Sequence, residues 1–278
     1  MNINHIHLKD SEVISFINNI NLSYTKLQNF SFSDFENKWR DWLQSSSHNK
    51  CNLDTMKHCG FISGTTQSFS EFIARYNQCR IRVSRSDFIL TKILCNQYNV
   101  SWKYIEESPL ELNDALIISL PFSGNGSIYP NYDNVLDTCD ELNIPVFIDA
   151  AYFGISHGIS YDLHRPCIKD FSTSITKTFG CETIRSGVRF TKELVDDAVT
   201  APLLGPGLFD RVNAYITMQL LENFSHDKFI SKYVDKSTNI CKKYDLTSTN
   251  TITLAIINNS QYLRGDYNRV CITEYLSQ

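Results

Sequence analysis

Five residues along the middle of the chain are of types that do chemistry together. Asp149 ends the apolar run IPVFI, and Tyr152 follows three positions later in DAAY. A carboxylate in so apolar a segment must be hydrogen-bonded or paired, because leaving the charge unpaired costs several kcal/mol. Capping the next turn is the plainer role for it. Further on, STSITKTFGCETIRSGVRF (172–190) carries Ser174, Lys177 and Arg185 in one hydroxyl-rich stretch. A lysine amine is a nucleophile for carbonyl compounds, and an arginine fork suits a phosphate. The same letters also read as a polar loop with solvated basic residues. Upstream, FISGTTQSFSEF (61–72) runs from an apolar start through Gly64, Thr65 and Thr66 into a helix. Free amides at that helix start, with two hydroxyls, can hold a phosphate. Ser68 and Glu71 also have the spacing of a capping box, which needs no ligand.

These residues need a scaffold. Short apolar, β-rich runs occur at 80–84, 100–106, 115–121, 144–149 and 186–191, with helix-length stretches at 87–98 and 131–142 between them. That alternation predicts an α/β fold with a mostly parallel sheet covered by helices, whose ligand sits at the carboxyl ends of the strands. Aromatic residues among polar ones in 1–49 predict one or two helices, 207–244 reads as helical, and 251–258 and 268–275 read as strands. A large domain over 50–215 and a small one built from 1–49 plus 216–278 is the expected division.

The composition of the 278 residues is that of a globular protein: 42% are hydrophobic and 20% charged. A net charge of -4 gives no footprint for nucleic acid. No apolar run reaches the roughly 18 residues of a membrane span, and the first residues lack a basic segment followed by an apolar one. Nine scattered cysteines without a CxxC pair fit reduced thiols in a cytoplasm. His58, Cys59 and Cys51 have no second ligand pair at zinc spacing, so no metal is expected. No GxxxxGK loop is present, which sets aside a P-loop protein.

Taken in order, these segments resemble the fold-type I pyridoxal-phosphate enzymes, the aspartate aminotransferase-like superfamily of class I and II aminotransferases. The family carries an Asp with a Tyr three residues later, then a Ser three residues before the cofactor lysine and an Arg eight after it. DAAY, Ser174, Lys177 and Arg185 reproduce that order, and the likeness covers roughly residues 60 to 215. The resemblance implies a seven-stranded-type sheet with a trimmed small domain. It implies pyridoxal 5'-phosphate bound by Lys177 as a Schiff base, Asp149 under the pyridine nitrogen and Tyr152 on the ring hydroxyl oxygen. The phosphate would be held by Gly64, Thr65, Thr66, Ser174 and Arg185. Phe88 occupies the place of the ring-stacking aromatic, and Arg269 in YNRVCITEY that of the arginine gripping the substrate α-carboxylate. Where the family has an Asn-Pro-Thr-Gly turn, this chain has LPFSGNGSIYP (120–130), with Ser123 in place of the Asn and Asn125 close by. No arginine matches the second one used for dicarboxylate substrates. The implied activity is transamination between a small-molecule amino donor and a keto acceptor, in a homodimer. Decarboxylase, lyase or racemase chemistry on the same fold, or a non-catalytic module of it, are the alternatives.

Overall fold

The computed structural model describes residues 7–203, 207–258 and 263–277. Three helices open the chain, α1 (Ser11–Asn18), α2 (Tyr24–Gln28) and α3 (Phe32–Gln44), capped by Asp10, Ser23 and Ser31. There follow β1 (Lys50–Cys51), β2 (His58–Ile62), α4 (Thr65–Arg75), β3 (Arg80–Val83), α5 (Leu90–Gln97), β4 (Trp102–Tyr104), β5 (Asp114–Ser119), α6 (Tyr132–Glu141), β6 (Val146–Asp149), β7 (Ser160–Tyr161), β8 (Ile168–Ser174), α7 (Ile175–Thr178) and β9 (Gly187–Thr191). The last part holds α8 (Arg211–Asn223), α9 (Lys228–Lys243), β10 (Thr247–Ser248), β11 (Leu254–Ile256), β12 (Arg269–Cys271) and α10 (Thr273–Leu276).

Seven strands form the main sheet in the order β2-β9-β8-β6-β5-β3-β4. Only β9 runs antiparallel to its neighbours; the pairs from β8 to β4 are all parallel. Every residue of β5 and β6 is buried, the pattern of strands covered on both faces. On one face, Phe69 and Phe72 of α4 pack on Phe147 of β6, with ring centroids 5.1 and 5.7 Å apart. On the other, Phe35 of α3 meets Phe61 of β2 at 6.2 Å, and Trp42 meets Phe179 at 6.0 Å. The two ends of the chain also meet: Trp42 Nε1 donates to the carbonyl of Phe224 (2.9 Å), and Phe16 packs edge-on against Phe224. One apolar cluster runs from α1 and α3 through the sheet to α8 and α9. The small sheet β10-β11-β12 is antiparallel.

The predicted α/β class and mostly parallel sheet are present, with several local differences. Strand β8 was not read from the sequence, because its hydroxyl-rich IKDFSTS lacks an apolar run. The reading of strands at 251–258 and 268–275 shrinks to Leu254–Ile256 and Arg269–Cys271, the latter followed at once by α10. Ser68 is not a helix cap. The N-cap of α4 is Gly64, and Ser68 lies buried one turn inside, where its hydroxyl accepts from Ser172 at 2.7 Å. Among the described residues no helix is long and apolar enough to cross a membrane. All nine cysteines are free.

Candidate functional site

The carboxyl ends of β5, β6 and β8 bring Ser119, Asp149 and the residues after Ser174 to one edge of the sheet. Because β6 lies centrally, its terminal Asp149 projects where helices on both sides give way. Its side chain is 5% exposed and accepts from the Ala151 amide (3.2 Å) and from Thr65. Burial pushes the carboxyl up to about 6 against the pull of Lys177, and the neighbouring Asp87 adds to the rise. The single turn of α7 presents Lys177, whose ammonium stands 3.9 Å from the centre of the Tyr152 ring, a cation–π contact.

Lys177, Asp149, Tyr152, Phe88, Ser123 and Arg269 line one cavity of about 200 Å³, joined by Arg264. Arg269, at the start of β12, is almost fully buried; it donates to the Ser123 carbonyl and shares a hydrogen bond with the Tyr152 side chain. Burial draws its pKa down. Arg264 Nη2 donates to Ser123 Oγ at 3.1 Å. Behind this wall, Ser119 ties two loops together. Its hydroxyl donates to Asp87 (2.6 Å) and accepts the Ser123 amide (2.8 Å), and Asp87 also takes the amides of Ser119 and Phe88. The chain positions Ser123 by fixing its backbone at both ends.

The second half of the site is the start of α4. No side chain caps this helix, so its first amides are open. Gly64 has φ 89°, and a Cβ there would stand 2.5 Å from Nη2 of Arg185. Only glycine gives both that backbone conformation and that room. Arg185 Nη2 in turn donates to Thr66 Oγ1 at 3.3 Å. Arg185, Gly64, Thr66 and the helix amides therefore form a cradle for an anion. Ser174 lies buried at the end of β8, where α7 begins. Thr65 connects the cradle to Asp149.

Asn125 is not among the residues that line the cavity. Its side chain closes its own turn, accepting from the Ser127 amide (2.8 Å) and donating to the Ile128 carbonyl (3.1 Å). Asp87 and Arg264 escaped the reading. Asp87 had a signal, a carboxylate just after strand β3 and before Phe88. Arg264 had none, since it belongs to a loop that only the fold carries to the cavity. A larger groove of about 540 Å³ lies at the other end of β9, around Glu71, Arg75 and Asp197. Its deepest charges are already matched, Arg75 with Asp170 and Arg189 with Asp197. Among the described residues no cluster of His, Cys, Asp and Glu could hold a metal ion. The site as a whole can take an anion at the helix start, a cationic group at Asp149 and a carbonyl compound at Lys177.

No family model and no curated relative matches the sequence. Solved structures do match. A pyridoxal-phosphate-bound C-S lyase from Staphylococcus hominis superposes with a TM-score of 0.69 at 13% identity, over 94% of this chain and 76% of that one. The histidinol-phosphate aminotransferase of Clostridium acetobutylicum gives a TM-score of 0.68 at 14% identity, over 99% and 97% of the two chains. An aromatic aminotransferase from Pyrococcus horikoshii OT3 gives 0.68 at 11% identity, over 99% and 92%. At such identities the likeness is one of fold, and the fold is that of the fold-type I pyridoxal-phosphate enzymes.

Proposed function

We propose that the protein is a pyridoxal-phosphate-dependent aminotransferase acting on an amino acid or related amine, with Lys177 as its catalytic amine. The observation that carries this reading is the pairing, across one cavity, of Lys177 with a buried carboxylate whose pKa stands at about 6. A carboxylate so placed needs a positively charged partner. A protonated pyridine nitrogen supplies one, and the anion cradle at Gly64, Thr65, Thr66 and Arg185 fits the phosphate of the same molecule. When bound, this cofactor supplies an aldehyde that captures amines and an aromatic ring that takes up the electron pair left by a departing proton.

The residues of this chain then divide the work. Asp149 keeps a proton on the ring nitrogen. Lys177 takes the proton from the substrate α-carbon and returns it elsewhere, as a positioned general base and acid. Arg269 binds the substrate α-carboxylate with its planar fork, and its bond to the Ser123 carbonyl fixes its orientation. Phe88 would cover one face of a bound ring. Tyr152 and Ser123, which line the same cavity, would serve the ring hydroxyl, with Ser123 Oγ held by Arg264. Ser174 adds a hydroxyl at the phosphate end. A second subunit closes the wet side of this cleft in a homodimer, which size-exclusion chromatography and light scattering test. Nine free thiols suit a reducing cytoplasm.

The deciding experiment is a half-reaction. Purified protein is saturated with pyridoxal phosphate and given an amino acid with no keto acceptor. Transamination predicts one equivalent of 2-oxo acid per site and a cofactor converted to its amine form. Continuous release of ammonia or carbon dioxide without an acceptor would make the protein a lyase or decarboxylase, the class of chemistry named for the Staphylococcus hominis neighbour. Cofactor bound but unchanged by any amine would leave the non-catalytic reading standing.

A further inference from the structure

A second cavity of about 400 Å³ adjoins the one just described, and Phe88 and Arg264 line both. Its apolar and aromatic wall is Val83, Phe88, Ile89 and Tyr104; its cations are Arg85, Lys92 and Arg264. Arg85 is already engaged, 3.6 Å from Glu107 and 5.3 Å from the centre of the Tyr104 ring. Among the described residues Lys92 and Arg264 have no carboxylate at ion-pair distance. The cavity does contain one carboxylate, Asp87, but its oxygens take the Ser119 hydroxyl and the amides of Ser119 and Phe88. Arg264 acts on Asp87 through space only. Two half-buried cations thus face an apolar-walled space whose only acid is satisfied elsewhere, an arrangement that leaves an anion wanted.

The position says what brings the anion. With the α-carboxylate on Arg269, a substrate side chain leads past Phe88 and Arg264 into this space, whose volume lies in the range of sites for whole small molecules, about 300–1,000 Å³. A two-carbon side chain would not fill it. Resting on the aminotransferase reading, we infer that the substrate has a side chain with an apolar body ending in an anionic group, a carboxylate or a phosphate, held between Lys92 and Arg264. Tyr104 and Phe88 flank the body, and the cations take the end.

The test uses the full chain loaded with pyridoxal phosphate and three amino donors: phenylalanine, 4-carboxyphenylalanine and O-phosphotyrosine. Both anionic donors are expected to exceed phenylalanine in kcat/KM by tenfold or more, the effect of one or two charge-assisted hydrogen bonds. The ranking of the two separates a carboxylate site from a phosphate site. In Lys92→Met the advantage should shrink about tenfold, through KM for the anionic donors, while phenylalanine is affected far less. Borohydride labelling of Lys177 is run alongside. Label present, with no preference for the anionic donors or no response to Lys92→Met, overturns this inference alone. Absence of the label overturns it together with the reading beneath it.

Discussion

Replacing Asp149 by Asn should make the cofactor-free protein more stable at pH 8 while weakening its hold on pyridoxal phosphate. The carboxyl is buried and stands at about 6, against an ordinary 3.8. Folding therefore favours its protonated form. The stability this contributes is fully present below about pH 4 and is lost as the pH rises through 6. Above that, keeping the charge buried costs roughly 3 kcal/mol. Asn accepts the Ala151 amide as Asp does and carries no charge. In a chain of this size the gain corresponds to about 5 °C in Tm. Thermal unfolding of both proteins from pH 4 to 8, without cofactor, should give curves that diverge between pH 4 and 6 and then run parallel. With saturating pyridoxal phosphate the order should reverse, because only the carboxylate pairs with the ring nitrogen. A cofactor-free variant less stable than its parent at pH 8, or a difference that ignores pH, would refute the argument about this buried charge.

Gly64→Ala places a Cβ 2.5 Å from Arg185 at a positive φ, so the guanidinium must leave the helix start; the dissociation constant for pyridoxal phosphate should rise about tenfold to a hundredfold. An unchanged constant in a spectroscopic titration would mean that the phosphate lies elsewhere. His226, 1% exposed and lowered by burial to about 4, stays neutral in the folded state. Its contribution is present above pH 6.5 and is lost as the pH falls toward 4, roughly 3 kcal/mol in all. His226→Gln should flatten that limb of a pH–stability curve. Trp42 packs at a tilt against His226, ring centroids 4.4 Å apart, and donates to the Phe224 carbonyl; Trp42→Ala should cost about 3–5 kcal/mol in urea unfolding.

How much of this was legible in the letters depended on what each residue had to satisfy. Asp149 stood out because a charge inside IPVFIDAAY contradicts its surroundings, and the structure gives it a site-facing, pKa-shifted carboxyl. Strands β5 and β6 announced themselves by apolar runs buried on both faces. Strand β8 did not, since its Asp170, Ser172 and Ser174 are buried polar side chains, and Asp170 is matched by Arg75 at a separation of 95 residues. Tertiary pairing of that kind leaves no local pattern. The same holds for Arg264, which reaches Ser123 across 141 positions. The Ser68–Glu71 spacing suggested a cap, and glycine geometry at Gly64 won because Arg185 needs the space a side chain would fill. Asn125 was close in sequence to the site but its hydrogen bonds are spent within its own turn.

Lys177 is the residue on which the proposed chemistry turns. Purified protein incubated with pyridoxal phosphate, reduced with borohydride and mapped by peptide mass spectrometry should carry one pyridoxyl group per chain, on Lys177, with none in Lys177→Ala. A pyridoxyl group on another lysine with Lys177 unmodified, or labelling that survives Lys177→Ala in full, would contradict it.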